Sequence, residues 1–234
     1  MEKLVYVLWP RPDLSEAQLR EEVLGRVAPR CAGAGARRMA ASLADEHVGP
    51  ALKARITRLT PPPAGIFSFW LDCADDRAPC EEALAGVAER LAGYLVVESV
   101  PLVNTTHSAP PGERTPGINM VALIERPARL SREAWIHHWH GHHKGVALET
   151  QCTFAYVRNL VVRPLSEGAP PWEGIVEEGF PAEAVTDPML WYRAEGDPEK
   201  LAANVRRMVE SCQAFLDLDR VEFHPTSEYR LGGR

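Results

Sequence analysis

The sequence predicts an α+β protein built from two ferredoxin-like β-α-β-β-α-β repeats whose sheets close into one barrel, and two observations carry that prediction. The first is a weak internal repeat: Lys3–Ser15 (KLVYVLWPRPDLS) aligns without a gap to Asn119–Ser131 (NMVALIERPARLS) at a constant shift of 116 residues. The second is that each copy is followed by the same succession of apolar strand-like runs and helical segments.

In the first half, Leu4–Leu8 reads as a strand and is followed by a Pro-containing connection to Ser15, a helix N-cap residue. Leu14 and Leu19 then stand at the two positions of a hydrophobic staple. Strands over Ala36–Ala44 and Ile66–Cys73, a helix over Pro79–Ala92 and a strand over Tyr94–Val103 complete the unit. The stretch THSAPPGERTPG (Thr106–Gly117) breaks both periodicities and marks a linker, dividing residues 1–112 from residues 113–234.

The second half opens with a strand over Ile118–Ile124 and a helix capped by Ser131, with Leu130 and Trp135 in the staple positions. Strands over Thr153–Arg163 and Glu173–Phe180, a helix over Pro198–Leu216 and a strand over Val221–Leu231 follow. Leu4–Leu8 and Ile118–Ile124 are apolar at nearly every position, so both faces of each should be covered. Helices would cover one face and the partner sheet the other, which makes the chain a pseudo-dimer.

The 234 residues, 45% of them hydrophobic, suffice for one large core or two small ones. A net charge of -6 without a basic block argues against nucleic acid or an anionic membrane as partner and favours a small molecule or a protein. The N-terminal apolar run ends at Trp9-Pro10, too short for a signal peptide core or a membrane span, so a soluble cytoplasmic protein is expected. Five cysteines without a C-x-x-C pair suggest free thiols.

Ser131–Gly145 (SREAWIHHWHGHHKG) holds five of the eight histidines. At about 100° per residue from Trp135, Trp139 falls near 40° and His143 near 80°, inside the apolar stripe. His142 lies at the stripe's edge, His138 and His140 flank it on opposite sides, and His137 points away. The imidazoles therefore diverge: His138 and His142 could offer a metal two ligands, but a third has no source and no metal is expected. His137, His138 and His140 read as a solvated flank. The repeat places Val23 opposite Trp139 and Val27 opposite His143, so the first half keeps the apolar face without the titratable group. His143 is the candidate general acid or base. Its position near the expected helix end favours the protonated ring, whereas burial against Trp139 favours the neutral one.

The helix S-R-E-A-W-x-x-x-W-x-x-x-H (Ser131–His143), the strand Y-V-R-N (Tyr156–Asn159), W-E-G-I-V-E (Trp172–Glu177) and A-F-L-D (Ala214–Asp217) together resemble the EthD family of dimeric α+β barrel proteins. In that family the recurrent Trp and His fall on Trp139 and His143, and two chains usually make the barrel. Here the first half looks like a degenerate copy, and further homodimerisation is compatible with the resemblance. Lys144-Gly145 departs from the family's small residue and Pro, which suggests an earlier helix end.

The resemblance implies a role in oxidative catabolism or aromatic and polyketide processing. The expected activity is that of a cofactor-independent oxidoreductase, lyase or cyclase using His143 for proton transfer on a hydrophobic small molecule. The alternatives are a non-catalytic binding or accessory protein of an oxygenase system, and a haem protein with His143 as axial ligand. The expected pocket wall is Trp135, Trp139, Tyr156 and Phe180, with Asn159, Glu177 and Arg158 as polar candidates. Strand alternation separates Tyr156 and Arg158 from Asn159. No nucleophile elbow, phosphate loop or dinucleotide fingerprint is present in the sequence.

Overall fold

The computed structural model describes residues 1–232. Its eight strands are β1 (Glu2–Pro10), β2 (Arg37–Leu43), β3 (Gly65–Leu71), β4 (Ala88–Leu102), β5 (Ile118–Ile124), β6 (Ala155–Pro164), β7 (Gly174–Phe180) and β8 (Glu222–Leu231). Leu4 to Leu8 are 0% exposed, so β1 is covered on both faces, and β5 is similarly apolar and buried along most of its length. Two-sided burial of strands needs a closed or sandwiched sheet, and this one closes.

The ring order is β1-β3-β2-β8-β5-β7-β6-β4, with every neighbouring pair antiparallel and β4 returning to β1. Around the ring, the first half runs β4-β1-β3-β2 and the second half β8-β5-β7-β6. Two seams join them: Met39–Leu43 of β2 against Ser227–Leu231 of β8, and β4 against β6 from Tyr94↔Pro164 to Leu102↔Tyr156. Alternate residues fill the lumen, where Val5, Val7, Trp9, Tyr94, Val121 and Ile175 belong to one apolar cluster with Trp172. The other face of the wall packs under helices, in one core per half.

Each half has a leading helix between its first and second strands, over residues 16–33 and 132–150. Ser15 accepts from the Gln18 N–H and the Gln18 side chain accepts from the Ser15 N–H, a complete capping box. Ser131 accepts from the Ala134 N–H at 3.1 Å, where alanine offers no reciprocal bond. Midway, both leading helices loosen into a π-helical stretch, Val23–Val27 in the first and His137–His143 in the second. The shift of 116 lays the first stretch onto residues 139–143 of the second. Lys144–Thr150 then continues as α-helix, so the earlier end expected at Lys144-Gly145 does not occur.

The return helices are Ala78–Ala85 and Pro198–Phe215. The expected helix over Pro79–Ala92 is therefore too long by its last turns: β4 begins at Ala88, and Arg90, Leu91 and Ala92 pair with Trp9, Leu8 and Val7. Local propensity in AERLA yields to ring closure, because a helical Ala88–Ala92 would leave one edge of this length of β1 unpaired. Among the described residues no helix is long and apolar enough to cross a membrane, and the five cysteines are free.

Candidate active site

A cavity of about 530 Å³ lies between the outer face of the second-half sheet and its helices. The sheet contributes Ala122 and Ile124 from β5, Tyr156 from β6, and Val176 and Glu178 from β7. The leading helix contributes Trp139 and His143, the return helix Met208, Cys212 and Phe215, the short helix Pro188–Trp191 its Trp191, and a connecting segment Ile56. No lysine or arginine lines it among the described residues. The lining is thus apolar with a few polar side chains, the usual composition of a small-molecule site.

Gly174 lets Trp139 approach the sheet, since a Cβ there would sit 2.6 Å from the indole. Trp135 packs behind it, with ring centroids 4.9 Å apart, and is wholly buried without reaching the cavity. The His143 ring packs on Phe215 at 4.7 Å, and its Nδ1 is 3.0 Å from the Ser211 hydroxyl, which leaves Nε2 as the uncommitted nitrogen. Burial, reinforced by His138, His142 and Arg158, lowers its pKa to about 4. The ring is neutral at pH 7; with the helix running on to Thr150, the last-turn macrodipole has no hold on it.

Glu178 faces His143's cavity from the sheet. Its Oε1 is cut off from solvent and has no hydrogen-bond partner, and burial raises its pKa to about 7. Tyr156 is its cross-strand partner, and burial followed by the nearby Glu178 pushes the phenol well above its ordinary value. The same two causes push the Cys212 thiol up to about 12. An apolar wall therefore holds one carboxyl that shares its proton near neutrality and one imidazole that stays uncharged.

Of the residues expected to form the pocket, His143, Trp139 and Tyr156 converge on this cavity. Phe180 lies outside its lining, buried and stacked on Trp191 at 3.8 Å. Asn159 and Glu177 face the lumen instead, where Glu177 accepts from the Asn159 amide at 3.1 Å and from the Ser42 hydroxyl at 3.4 Å. Strand parity is the cause: consecutive residues take opposite faces, so with Glu177 inside the barrel, Glu178 reaches the cavity. The sequence reading missed Glu178 because G-I-V-E-E-G-F does not say which glutamate faces which side. The pairing of Glu178 with Tyr156 settles the side, and no local sequence signal shows it.

The expected solvated flank also needs correction. His137 and His142 are exposed, but His138 and His140 are half-buried. His138 Nε2 lies 3.1 Å from the Ser211 carbonyl, which can accept only, so the proton sits on Nε2. His140 packs 4.7 Å from Trp139, its Nε2 is buried without a partner, and burial lowers its pKa to about 4. Arg158, beside it, is 7% exposed rather than a surface residue. The π-helical stretch shifts these side chains from where a 3.6-residue turn would put them. Among the described residues, the one three-residue grouping with metal-ligand spacing is Asp45, Glu46 and His47, outside this helix.

No protein-family profile and no curated protein matches the chain. Solved structures do. An anthrone oxidase-like protein aligns over 100% of this chain and 92% of its own, at 11% identity and a TM-score of 0.53. A "putative monooxygenase" from Fusobacterium nucleatum aligns over 99% of this chain and 92% of its own, at 8% identity and a TM-score of 0.51. Likeness at such low identity speaks to architecture alone. The chain's architecture is a closed eight-stranded antiparallel ring with helices packed on its outer face, completed within a single chain.

Proposed function

We propose that the chain is an EthD-like, cofactor-independent enzyme that moves a proton on a hydrophobic, aromatic or polyketide-like molecule held in the Glu178 cavity. In this reading residues 113–234 form the EthD domain and residues 1–112 a degenerate ferredoxin-like repeat that completes the barrel. The repeated strand order and the repeated π-helical stretch support that division. The observation that carries the functional reading is the pairing of His143 and Glu178 across one apolar cavity, each displaced from its usual proton affinity.

Glu178 is the better-matched of the two for proton exchange at neutral pH, since its pKa of about 7 lies near the working pH. In the proposed step the Glu178 carboxylate takes a proton from the carbon next to a ligand carbonyl, and a neutral His143 hydrogen-bonds the carbonyl oxygen through Nε2. The product is an enolate, common to oxidoreductase, lyase and cyclase chemistry. Trp139 and Trp191 supply flat walls, and a lining without cations favours a neutral ligand over a phosphorylated or carboxylated one. The same lack of cations counts against the haem alternative, whose carboxylates would need partners.

The test is turnover and binding of candidate hydroxyarenes and aryl ketones by the intact protein, followed by mass spectrometry. Glu178→Gln and His143→Ala should each lower kcat by about 10²- to 10⁴-fold while ligand still binds. Unchanged turnover in both variants would overturn the reading, and tight binding with the ligand always recovered unaltered would favour the accessory-protein alternative. A Soret shift on adding haemin would revive the haem reading.

A further inference from the structure

The barrel lumen opens at one end into a second cavity of about 630 Å³, bounded by strands of both halves, by Asn104 and by the linker residues Ala109 and Pro111. Its floor contains Lys3, a lysine 4% exposed, whose ammonium bonds Glu98 at 2.6 Å and lies 3.8 Å from Glu177. Lysine is rarely this buried without a partner, and this one reaches the cavity with N–H groups to spare.

The polar groups around the cavity are unevenly matched. Each carboxylate oxygen already faces a protein donor. Lys3 and Arg38, the latter at 3.9 Å, stand against Glu98. Asn159 and Ser42 donate to Glu177, and Arg230 and Thr115 to Glu228. The donors are not used up in return, because an ammonium brings three N–H groups and each guanidinium five. An incoming molecule therefore meets spare donors rather than spare acceptors.

Arg38 adds an independent sign. It has φ 48, a left-handed conformation uncommon for a residue with a Cβ, at a bulge where the β2–β3 register slips between Arg37 and Ala40. The bulge aims its guanidinium over the Trp70 ring at 5.0 Å, beside the cavity. Bulges that redirect a side chain, and strain held at one residue, gather at binding sites.

We infer that this barrel mouth is a binding site for a small organic monoanion, a carboxylate carried on a flat apolar body. The carboxylate accepts from Lys3 and Arg38, with Arg230 at the rim, and the body lies along Trp70 and Leu102. Among the described residues three cations and three carboxylates line the mouth, so one negative charge is accommodated where a phosphate dianion would meet repulsion from Glu98 and Glu177. The inference is independent of the proposed chemistry in the Glu178 cavity.

Calorimetric titration of 2-naphthoate into the intact protein tests it. Saturable binding at one molecule per chain is expected, weakened at least about tenfold by Arg38→Gly and by Arg230→Gln. Glycine adopts positive φ without strain, so Arg38→Gly should also keep or raise the melting temperature, which separates lost binding from lost folding. No saturable heat up to about 10 mM, or affinity unchanged in both arginine variants, overturns the site. So does a loss of binding in Glu178→Gln with none in Arg38→Gly, which would place the ligand in the other cavity.

Discussion

The two halves of the ring solve the same packing problem with opposite distributions of bulk. Under the first leading helix, the sheet presents Tyr6, Phe67 and Phe69 and the helix presents Val23 and Val27, all 0% exposed. Under the second, the shift of 116 puts Ala122 in the place of Tyr6, and matching strand registers put Val176 and Glu178 in the places of Phe67 and Phe69. The large groups move to the helix as Trp139 and His143. In the first half Tyr6 and Phe69 stack at 5.7 Å, and the Tyr6 hydroxyl ends on Glu81 at 2.7 Å. In the second half the exchange falls short of filling the space, and the 530 Å³ cavity remains. One fold thus carries a filled side and a hollow side, and the hollow side holds the carboxyl whose pKa is raised to about 7 and the imidazole whose pKa is lowered to about 4.

The largest expected effect is at the filled side. Phe69→Ala should cost about 3–5 kcal/mol in urea unfolding, the usual loss for a buried aromatic. Val176→Ala, a smaller truncation on the cavity wall, should cost under about 1.5 kcal/mol; equal losses would mean that the two undersides are packed alike.

Next come the titrating groups, which have no counterparts at Phe69 and Val27. Glu178 binds its proton more tightly folded than unfolded, so its contribution to stability falls as pH rises from about 4.5 through about 7. Glu178→Gln should accordingly gain about 1–3 kcal/mol above pH 7 and little below pH 4.5, read from the urea midpoint at each pH. His143 behaves in the opposite sense. Its folded pKa of about 4 lies below the unfolded 6.5, so stability is lost as pH falls through that window. His143→Phe should remove about 1–3 kcal/mol of that acid sensitivity. An unchanged slope between pH 6.5 and 4 would show that the ring is not buried as described.

The smallest effect concerns what the halves share. Ser15→Ala and Ser131→Ala each remove a helix cap and should each cost about 1 kcal/mol in thermal unfolding, with the capping box making Ser15 the costlier. A larger loss at Ser131 would contradict that ranking.

Much of the architecture was legible because it rests on local signals. Alternation and two-sided apolarity located β1 and β5, and the serine caps located both leading helices. What escaped was set by distant pairing. The start of β4 at Ala88 depends on β1 needing a neighbour. Whether Glu177 or Glu178 meets the helix depends on the register of β7 against β5 and β6. The π-helical stretch left His143 and Trp139 beside the cavity but turned His138 toward the Ser211 carbonyl and His140 against Trp139, contrary to a uniform wheel. The sequence reading named Trp139 and His143 on the helix and Tyr156 on the sheet, and missed Glu178.

Closure of the ring by two seams within one chain has a consequence for stoichiometry. A barrel assembled from two identical chains repeats any hollow on both sides, so it offers two equivalent sites and falls apart on dilution. Here the seams β2–β8 and β4–β6 are covalently linked through the linker, so closing the barrel needs no second molecule. The halves are then free to differ, and each barrel presents one Glu178 cavity rather than a symmetric pair.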